Sequence, residues 1–399
     1  GDIILIYLPN SSDYGSLLWA CALSGIIAVP IDFNNKPGFV EVIYKKVNAK
    51  GVFCSVFRQP SDGKKYYQEE LSEVYDSKKF LEFKIKEKTT PEDIFEIIYT
   101  SGTTAEPKGV ILTNKNIVAN VESMKKLIDF DITGFGFLSI LPLSHLFEQN
   151  IGFFLLMNFG CKIVYSFSRK SSSIIEAIKE ENVKAVVSVP LFLSSIKEKI
   201  EFKAREEGKL EKLNKAIKRF ENSSNFVKKL VFSKVRKNLG NLEYFICGGS
   251  ALDIDVEKFW RAVGIKVLQG YGLTESSPVL TCNSLLQNKI GTVGKPVPGV
   301  QIKIVDGEIL AKGENVFSGY YENPLESKKV LKNGWLYTGD LGEFDSDGYL
   351  KITGRKKNML KSPSGLNVYP EDIEAVLNKL EGVKDSVVLG LEKETKLVG

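Results

Sequence analysis

Apolar runs of strand length alternate with helical patterns through roughly the first 270 residues of this 399-residue chain. Ile3 to Leu8 reads as a buried strand, Ser11 to Leu23 as a helix and Ile26 to Ile31 as the next strand. The alternation recurs at Ile94 to Thr100, Thr113 to Ile128, Cys161 to Tyr165, Ser171 to Glu181 and Val183 to Val189. It closes with Leu242 to Cys247, Asp253 to Val263 and Ile265 to Leu268. Strands separated by helices pair side by side through crossovers, so the pattern demands mainly parallel sheets covered by helices. The length exceeds one ordinary core and predicts two or three lobes.

After that the texture changes. From Gly291 to Gly354, glycines and Asp-Gly turns separate short strands, as at Val300 to Asp306, Gly307, and Glu308 to Ala311. This predicts a β-rich, barrel-like subdomain over about 291–354. Beyond Arg355 a polar stretch leads to a helix opened by Pro370, Glu371 and Asp372, which predicts a hinge and a small α+β lobe over 355–399. The larger lobe is then 1–354, with a Lys/Glu-rich helical insertion at about 195–240. Leu210, Leu213, Ile217 and Phe220 form a helical stripe there. An amphipathic hairpin packed on the larger lobe is the favoured reading of that stripe, and a membrane-surface or partner-docking helix is the sharper one.

Lys plus Arg number 54 against 49 Asp plus Glu, a net charge of +5 that reads as a mild excess spread over a large surface. Without a dense basic stripe, nucleic acid is not an expected partner. Cys21, Cys54, Cys161, Cys247 and Cys282 are scattered with no metal-ligand spacing, and read as reduced thiols of a cytoplasmic protein. No apolar run reaches the ~18 residues that span a bilayer, and no signal peptide is expected. The chain opens Gly1-Asp2 and enters a strand at once, and ends at Lys396-Leu397-Val398-Gly399 inside another strand pattern. Missing sequence is therefore expected at both ends.

The stretch that carries chemistry is Tyr99-Thr-Ser-Gly-Thr-Thr-Ala-Glu-Pro-Lys-Gly109, between a strand and a helix opened by Thr113. Hydroxyls and glycine amides packed this densely can surround phosphate oxygens, and Lys108 adds a positive charge. The spacing is not that of the kinase and GTPase P-loop. A surface turn would need only two or three such residues.

This stretch resembles the phosphate-loop signature of the AMP-forming acyl-adenylate superfamily, which includes acyl-CoA synthetases, firefly luciferase and peptide-synthetase adenylation domains. Leu141-Pro-Leu-Ser-His-Leu-Phe-Glu-Gln149, Gly248-Gly-Ser-Ala-Leu252, Tyr271-Gly-Leu-Thr-Glu275 and Trp335-Leu-Tyr-Thr-Gly-Asp340 follow in the family's order. Gly354-Arg-Lys-Lys-Asn358 and Gly365-Leu-Asn-Val-Tyr-Pro-Glu-Asp-Ile-Glu374 complete a resemblance that covers the whole chain.

The resemblance implies a role for each position. Thr100, Ser101, Gly102, Thr103, Thr104 and Lys108 would hold the β- and γ-phosphates of ATP. Thr274 would bond the α-phosphate and Glu275 would ligate Mg²⁺. Gly248, Gly249 and Ser250 would lie against adenine, with Tyr271 stacked on the ring and Gly272 beside it. Asp340 would accept the ribose hydroxyls, and Arg355 would bond the ribose or phosphate. His145, the only histidine, would line the acyl pocket without acid–base duty. Lys357 would sit at the hinge and Gly365 in the thiol tunnel, whereas Asn358 stands where an acidic residue is common.

The helical insertion and Leu141 to Glu148 resemble bacterial long-chain fatty-acid–CoA ligases most closely. The implied reaction activates a long-chain fatty acid to acyl-AMP, releases pyrophosphate and passes the acyl group to coenzyme A. Two alternatives are an acyl-carrier-protein ligase using a phosphopantetheine thiol, and a nucleotide-binding pseudoenzyme or inactive fragment. An amino-acid adenylation domain would need an acidic residue for the substrate amine, and none can be placed. The expected setting is cytoplasmic, with peripheral contact at the inner membrane face as a variant. The family's catalytic lysine near the extreme C-terminus has no counterpart here, since Lys379, Lys384, Lys393 and Lys396 come too early and lack its Gly-Lys setting.

Overall fold

A computed structural model describes residues 1–71, 89–100, 107–166, 168, 170–358, 360–361, 367–368, 370–378, 380, 383, 386–390 and 397–398. Its first sheet has seven strands in the spatial order Gly319–Tyr320, Lys108–Thr113, Ile94–Thr100, Ile27–Pro30, Ile3–Tyr7, Gly51–Cys54 and Lys65–Tyr67. Pairing is parallel from Ile94–Thr100 onward and antiparallel at the other edge. The second sheet also has seven strands, in the order Lys295–Pro296, Thr281–Cys282, Lys266–Tyr271, Tyr244–Cys247, Val183–Ser188, Gly136–Ser139 and Lys162–Tyr165. Its five strands from Lys266–Tyr271 to Lys162–Tyr165 run parallel. The chain is thus a mixed α/β fold built on two large sheets.

Local sequence explains the covering helices. Ser11 caps Ser12–Ser24 through its hydroxyl, Thr113 forms a capping box with Asn116 on Asn114–Lys125, and Asp253 accepts from two amides of Ile254–Val263. Each cap satisfies donors that the first helical turn leaves open. The largest core lies where Ser12–Ser24 and Asn114–Lys125 bring Leu18, Ile117 and Val121 against Ile98, Val110 and Leu143. A second core forms around Trp260, Phe245 and Phe259 beneath the second sheet.

A third, antiparallel sheet joins Gln301–Val305, Glu308–Lys312, Trp335–Phe344, Leu331–Lys332 and Leu350–Arg355. Its first hairpin turns through Asp306 and Gly307, both at positive φ (51° and 78°). That is the geometry a two-residue hairpin turn needs, and it explains the Asp-Gly pair. Between Val183–Ser188 and Tyr244–Cys247 the chain makes four helices, Pro190–Glu206, Leu210–Phe220, Asn225–Val231 and Ser233–Leu239. Pro370–Leu377 forms a helix near the end of the chain.

Candidate active site

The strand Lys266–Tyr271 delivers Tyr271 to its carboxyl end, and the chain turns sharply through Gly272 into the short 3₁₀ turn Thr274–Ser276. A Cβ at Gly272 would lie 1.7 Å from the Pro278 carbonyl oxygen, so no other residue fits this bend. Three buried asparagines from distant segments clamp the loop. Asn120 Nδ2 donates to the Val279 carbonyl at 2.8 Å, Asn150 Nδ2 to Ser277 at 2.5 Å, and Asn315 Nδ2 to Ser276 at 2.8 Å. Buried backbone carbonyls left unpaired would each cost about 1–3 kcal/mol, so these amides fix the loop that presents Thr274 and Glu275.

Glu275 accepts a hydrogen bond from Tyr320 Oη at 2.8 Å on Oε1. Burial and the Glu275 charge together push the Tyr320 phenol well above its usual value, so it stays a donor. Across the cleft, Asp340 on Trp335–Phe344 stands opposite Arg355 on Leu350–Arg355. Arg355 Nε lies 3.0 Å from Asp340 Oδ1, and Tyr271 Oη donates to Oδ2 at 2.8 Å. Asp340 is 4% exposed. Burial raises its pKa, although the Arg355 charge and the Tyr271 hydroxyl work against the rise. Each carboxylate oxygen keeps a second lone pair for a further donor.

Thr100, Thr274, Glu275, Asp340, Arg355 and Lys357 line one cavity of about 640 Å³. A second, of about 620 Å³, is lined by His145, Tyr271, Gly248 and Gly249, and it shares Thr100, Gly272 and Thr274 with the first. The two therefore adjoin at Thr100, Gly272 and Thr274. A third cavity of about 100 Å³ lies against the second at Phe147, Gly270 and Val279. It is almost wholly apolar, running between Leu127, Phe137, Leu156 and Ile246 beneath the second sheet.

Two of the sequence-derived positions stand apart from these cavities. Ser250 is exposed and lines none of the three. Lys108 Nζ is 2.5 Å from Glu326 Oε2 and packs 5.4 Å over the Tyr320 ring. Its bond and that of Lys329 pull the Glu326 carboxyl down to about 2. Ser101, Gly102, Thr103, Thr104 and Gly365 lie outside the described residues.

Asp32, which lines the second cavity, was not singled out from sequence, and neither were two buried carboxylates that line none of the three cavities, Glu96 and Glu148. Asp32 Oδ2 lies 3.4 Å from His145 Nε2. Burial works to raise the Asp32 pKa, but hydrogen bonds from His145 and Asn34 outweigh it and hold the carboxyl at about 2. Glu96 and Glu148 are fully buried, and none of their four oxygens has a well-formed hydrogen bond. Burial pushes both up to about 8, against weak relief from Gln149 at Glu96 and from Ser139 and the Leu141 backbone at Glu148. A carboxylic acid at such a site holds its proton at neutral pH. The signal for Glu96 was present in Ile94 to Thr100, where one acidic residue interrupts an otherwise apolar buried strand.

Comparison with known proteins identifies the family. Residues 1–321 match the family described as "AMP-binding enzyme". Long chain acyl-CoA synthetase 3 of Arabidopsis thaliana is 31% identical over 100% of this chain and 69% of its own length. Long-chain-fatty-acid–CoA ligase FadD15 of Mycobacterium bovis is 33% identical over 74% of this chain and 52% of its own. The chain thus spans from about half to about two thirds of these relatives. O-succinylbenzoate coenzyme A synthetase of Bacillus subtilis, in complex with AMP, shares the fold at a TM-score of 0.77, with 23% identity over 99% of this chain and 77% of that one. A Mycobacterium tuberculosis fatty acyl CoA synthetase does so at 0.72, with 24% identity over 99% and 76%. With a match over residues 1–321 and an alignment over the whole of this chain at 31% identity, the chain belongs to the AMP-binding enzyme family.

Proposed function

We propose that the protein joins a long-chain fatty acid to the α-phosphate of ATP, releases pyrophosphate, and passes the acyl group to the thiol of coenzyme A. The observation that carries this reading is the line of three cavities: a polar one at Glu275 and Asp340, a mixed one at His145 and Tyr271, and an apolar one beyond Phe147. A molecule with a charged nucleotide end and a hydrocarbon end matches that order. Fatty carboxylates are ionised at neutral pH, so the first step needs no protein base. It needs alignment of the carboxylate with the α-phosphorus and cancellation of negative charge.

In this reading Asp340 and Arg355 orient the ribose, Tyr271 and Gly248–Gly249 border the adenine, and Thr100 and Thr274 donate to phosphate. Glu275 offers its carboxylate to Mg²⁺. Among the described residues no group of three or more His, Cys, Asp or Glu could hold a metal on protein ligands alone. Glu275 would hold such a cation together with substrate oxygens and water, and the ion would supply positive charge against the departing pyrophosphate. Lys357, which borders the polar cavity, is assigned to the hinge. The lobes are proposed as 1–354 and 355–399.

Acyl-sulfamoyl adenosines of increasing chain length test the reading by calorimetry on this 399-residue chain. Each methylene that enters an apolar tunnel adds roughly 0.8 kcal/mol, about fourfold in affinity. Affinity that climbs to about twelve carbons or more supports the proposal. The tightest binding by an acetyl or aryl analogue refutes it.

A further inference from the structure

The strand Lys266–Tyr271 has Tyr271 of the candidate active site at one end and a separate polar cavity at the other. That cavity, of about 270 Å³, opens between the helices Asn225–Val231 and Ile254–Val263 and residues of the loop from Leu285 to Ile290. Lys266 and Tyr271 lie five strand steps apart, about 17 Å. The cavity shares no residue with the two cavities that hold the nucleotide-site residues, and only Leu285 with the apolar one.

Lys228, Arg261 and Lys266 bring three positive charges to its wall, against one carboxyl, that of Glu257. Arg261 and Lys266 are exposed, but Lys228 is only 6% exposed. Among the described residues the Lys228 ammonium has neither an ion pair nor a hydrogen bond. Burial lowers its pKa and the Arg261 charge lowers it further, while the attraction of Glu221 is the weakest of the three influences. Glu257 is 2% exposed; its Oε2 accepts the Gly291 amide at 3.0 Å, and its Oε1 has no partner. Burial raises the Glu257 pKa, against relief from the Gly291 amide and the Arg261 charge.

An ammonium out of water and unpaired is costly, so a lysine that served only packing would be better replaced by an apolar side chain of its length. The fold instead makes room for it. Gly264, at φ 84°, ends the helix Ile254–Val263 beside the Lys228 stem, and a Cβ there would lie 3.2 Å from Lys228 Cβ. Arg236 Nη1 donates to the Gly264 carbonyl at 3.1 Å, which offsets the negative end of that helix next to the cavity. The wall that results is rich in donors and short of acceptors: an ammonium with three N–H groups, a guanidinium with five, and a carboxyl shifted toward its protonated form. Pockets for drug-sized ligands run to roughly 300–1,000 Å³, so this space suits a smaller group. Tetrahedral oxyanions accept from several such donors at once.

We propose that Lys228, Arg261 and Lys266 form a binding site for a phosphate group, with Glu257 as a further donor, and that the bound anion ties the helix Asn225–Val231 to the start of Lys266–Tyr271. The site is independent of the reaction proposed above.

The test is calorimetric titration of the 399-residue chain with inorganic phosphate at neutral pH and constant ionic strength. A Kd of about 1 mM or tighter is expected. Lys228→Met removes the buried charge at similar length and should weaken phosphate about tenfold to a hundredfold, the contribution of one charge-assisted hydrogen bond. Arg261→Gln, at an exposed position, gives a second reading with the core untouched and should weaken phosphate in the same direction. Both variants should bind AMP as the parent does, since neither residue lines the nucleotide cavities. Phosphate at a hundredfold excess over Kd should raise the parent's Tm by about 3 °C and that of Lys228→Met by about 1 °C or less. Glycerol phosphate, titrated in parallel, separates the two sources of the group: affinity equal to that of phosphate supports the head of a larger ester, and weaker affinity supports the free ion. Phosphate that binds both variants as tightly as the parent lies elsewhere and overturns the proposal. So does the absence of binding to the parent up to about 10 mM.

Discussion

Glu96 gives the chain a pH dependence that one substitution should remove. The side chain is fully buried on the strand Ile94–Thr100, and its pKa is raised by burial from 4.5 to about 8. Between pH 5 and pH 7 the folded chain keeps this proton while the unfolded chain has given it up. The folded state therefore binds more protons, and its stability falls as pH rises through that window. Two pH units at about 1.36 kcal/mol per unit amount to roughly 2.5 kcal/mol once partial ionisation at pH 5 is allowed for. Glu96→Gln keeps the shape, cannot ionise, and lies beside Gln149, whose Oε1 and Nε2 lack partners. The variant should gain about 2.5 kcal/mol relative to the parent between pH 5 and pH 7. Unfolding entropy of about 2.1 cal/mol/K per residue turns that gain into a relative Tm rise of about 3 °C. Scanning calorimetry of both chains at pH 5, 6 and 7 measures it. A stability difference that stays constant across the three pH values would show that Glu96 ionises normally or has a partner.

The nucleotide end of the site makes two further predictions. Asp340→Ala removes the acceptor shared by Tyr271 and Arg355 and should weaken AMP binding by about 1.5–3 kcal/mol in calorimetry; unchanged affinity would leave Asp340 a purely structural partner of Arg355. Lys108→Ala and Glu275→Ala should each lower fatty-acid-dependent pyrophosphate release roughly a hundredfold or more while circular dichroism stays unchanged, and near-normal release from both would remove their assignment.

Part of the two large sheets was legible, where an apolar run or a capping residue gives a local signal, whereas Gly51–Cys54, Lys65–Tyr67, Lys108–Thr113 and Gly136–Ser139 were not read as strands. Ile94–Thr100 matches its apolar run residue for residue, and Ser11, Thr113 and Asp253 mark helix starts as capping chemistry requires. The pairs Thr281–Cys282, Lys295–Pro296 and Gly319–Tyr320 were not legible. Two residues hold no alternation, and their pairing is decided by the strand they reach. Gly319–Tyr320 returns to the edge of the first sheet beside Val110 and Ile111, far back in the sequence. The asparagine clamp was invisible for the same reason. Asn120, Asn150 and Asn315 are ordinary polar residues of separate segments until the fold brings their amides onto one loop.

Lys108 shows where motif reading stops. The run Pro107-Lys108-Gly109 marks a lysine for phosphate, yet nothing in the run indicates Glu326, 218 positions away on Pro324–Val330. Asn323 caps that helix through the Glu326 amide, which sets the carboxylate within reach of both Lys108 and Lys329. The pair lines none of the cavities but lies against Tyr320, which borders the polar one, with Lys108 23% and Glu326 25% exposed. Water reaches both groups, so their attraction is partly screened and the bond can be exchanged. For Lys108 to meet a phosphate it must leave Glu326, and Lys329 then remains to balance the carboxylate. Glu326 thus holds the lysine next to the cavity without stranding a charge when it turns inward. This polar pairing across 218 positions of one lobe could be found only from the fold.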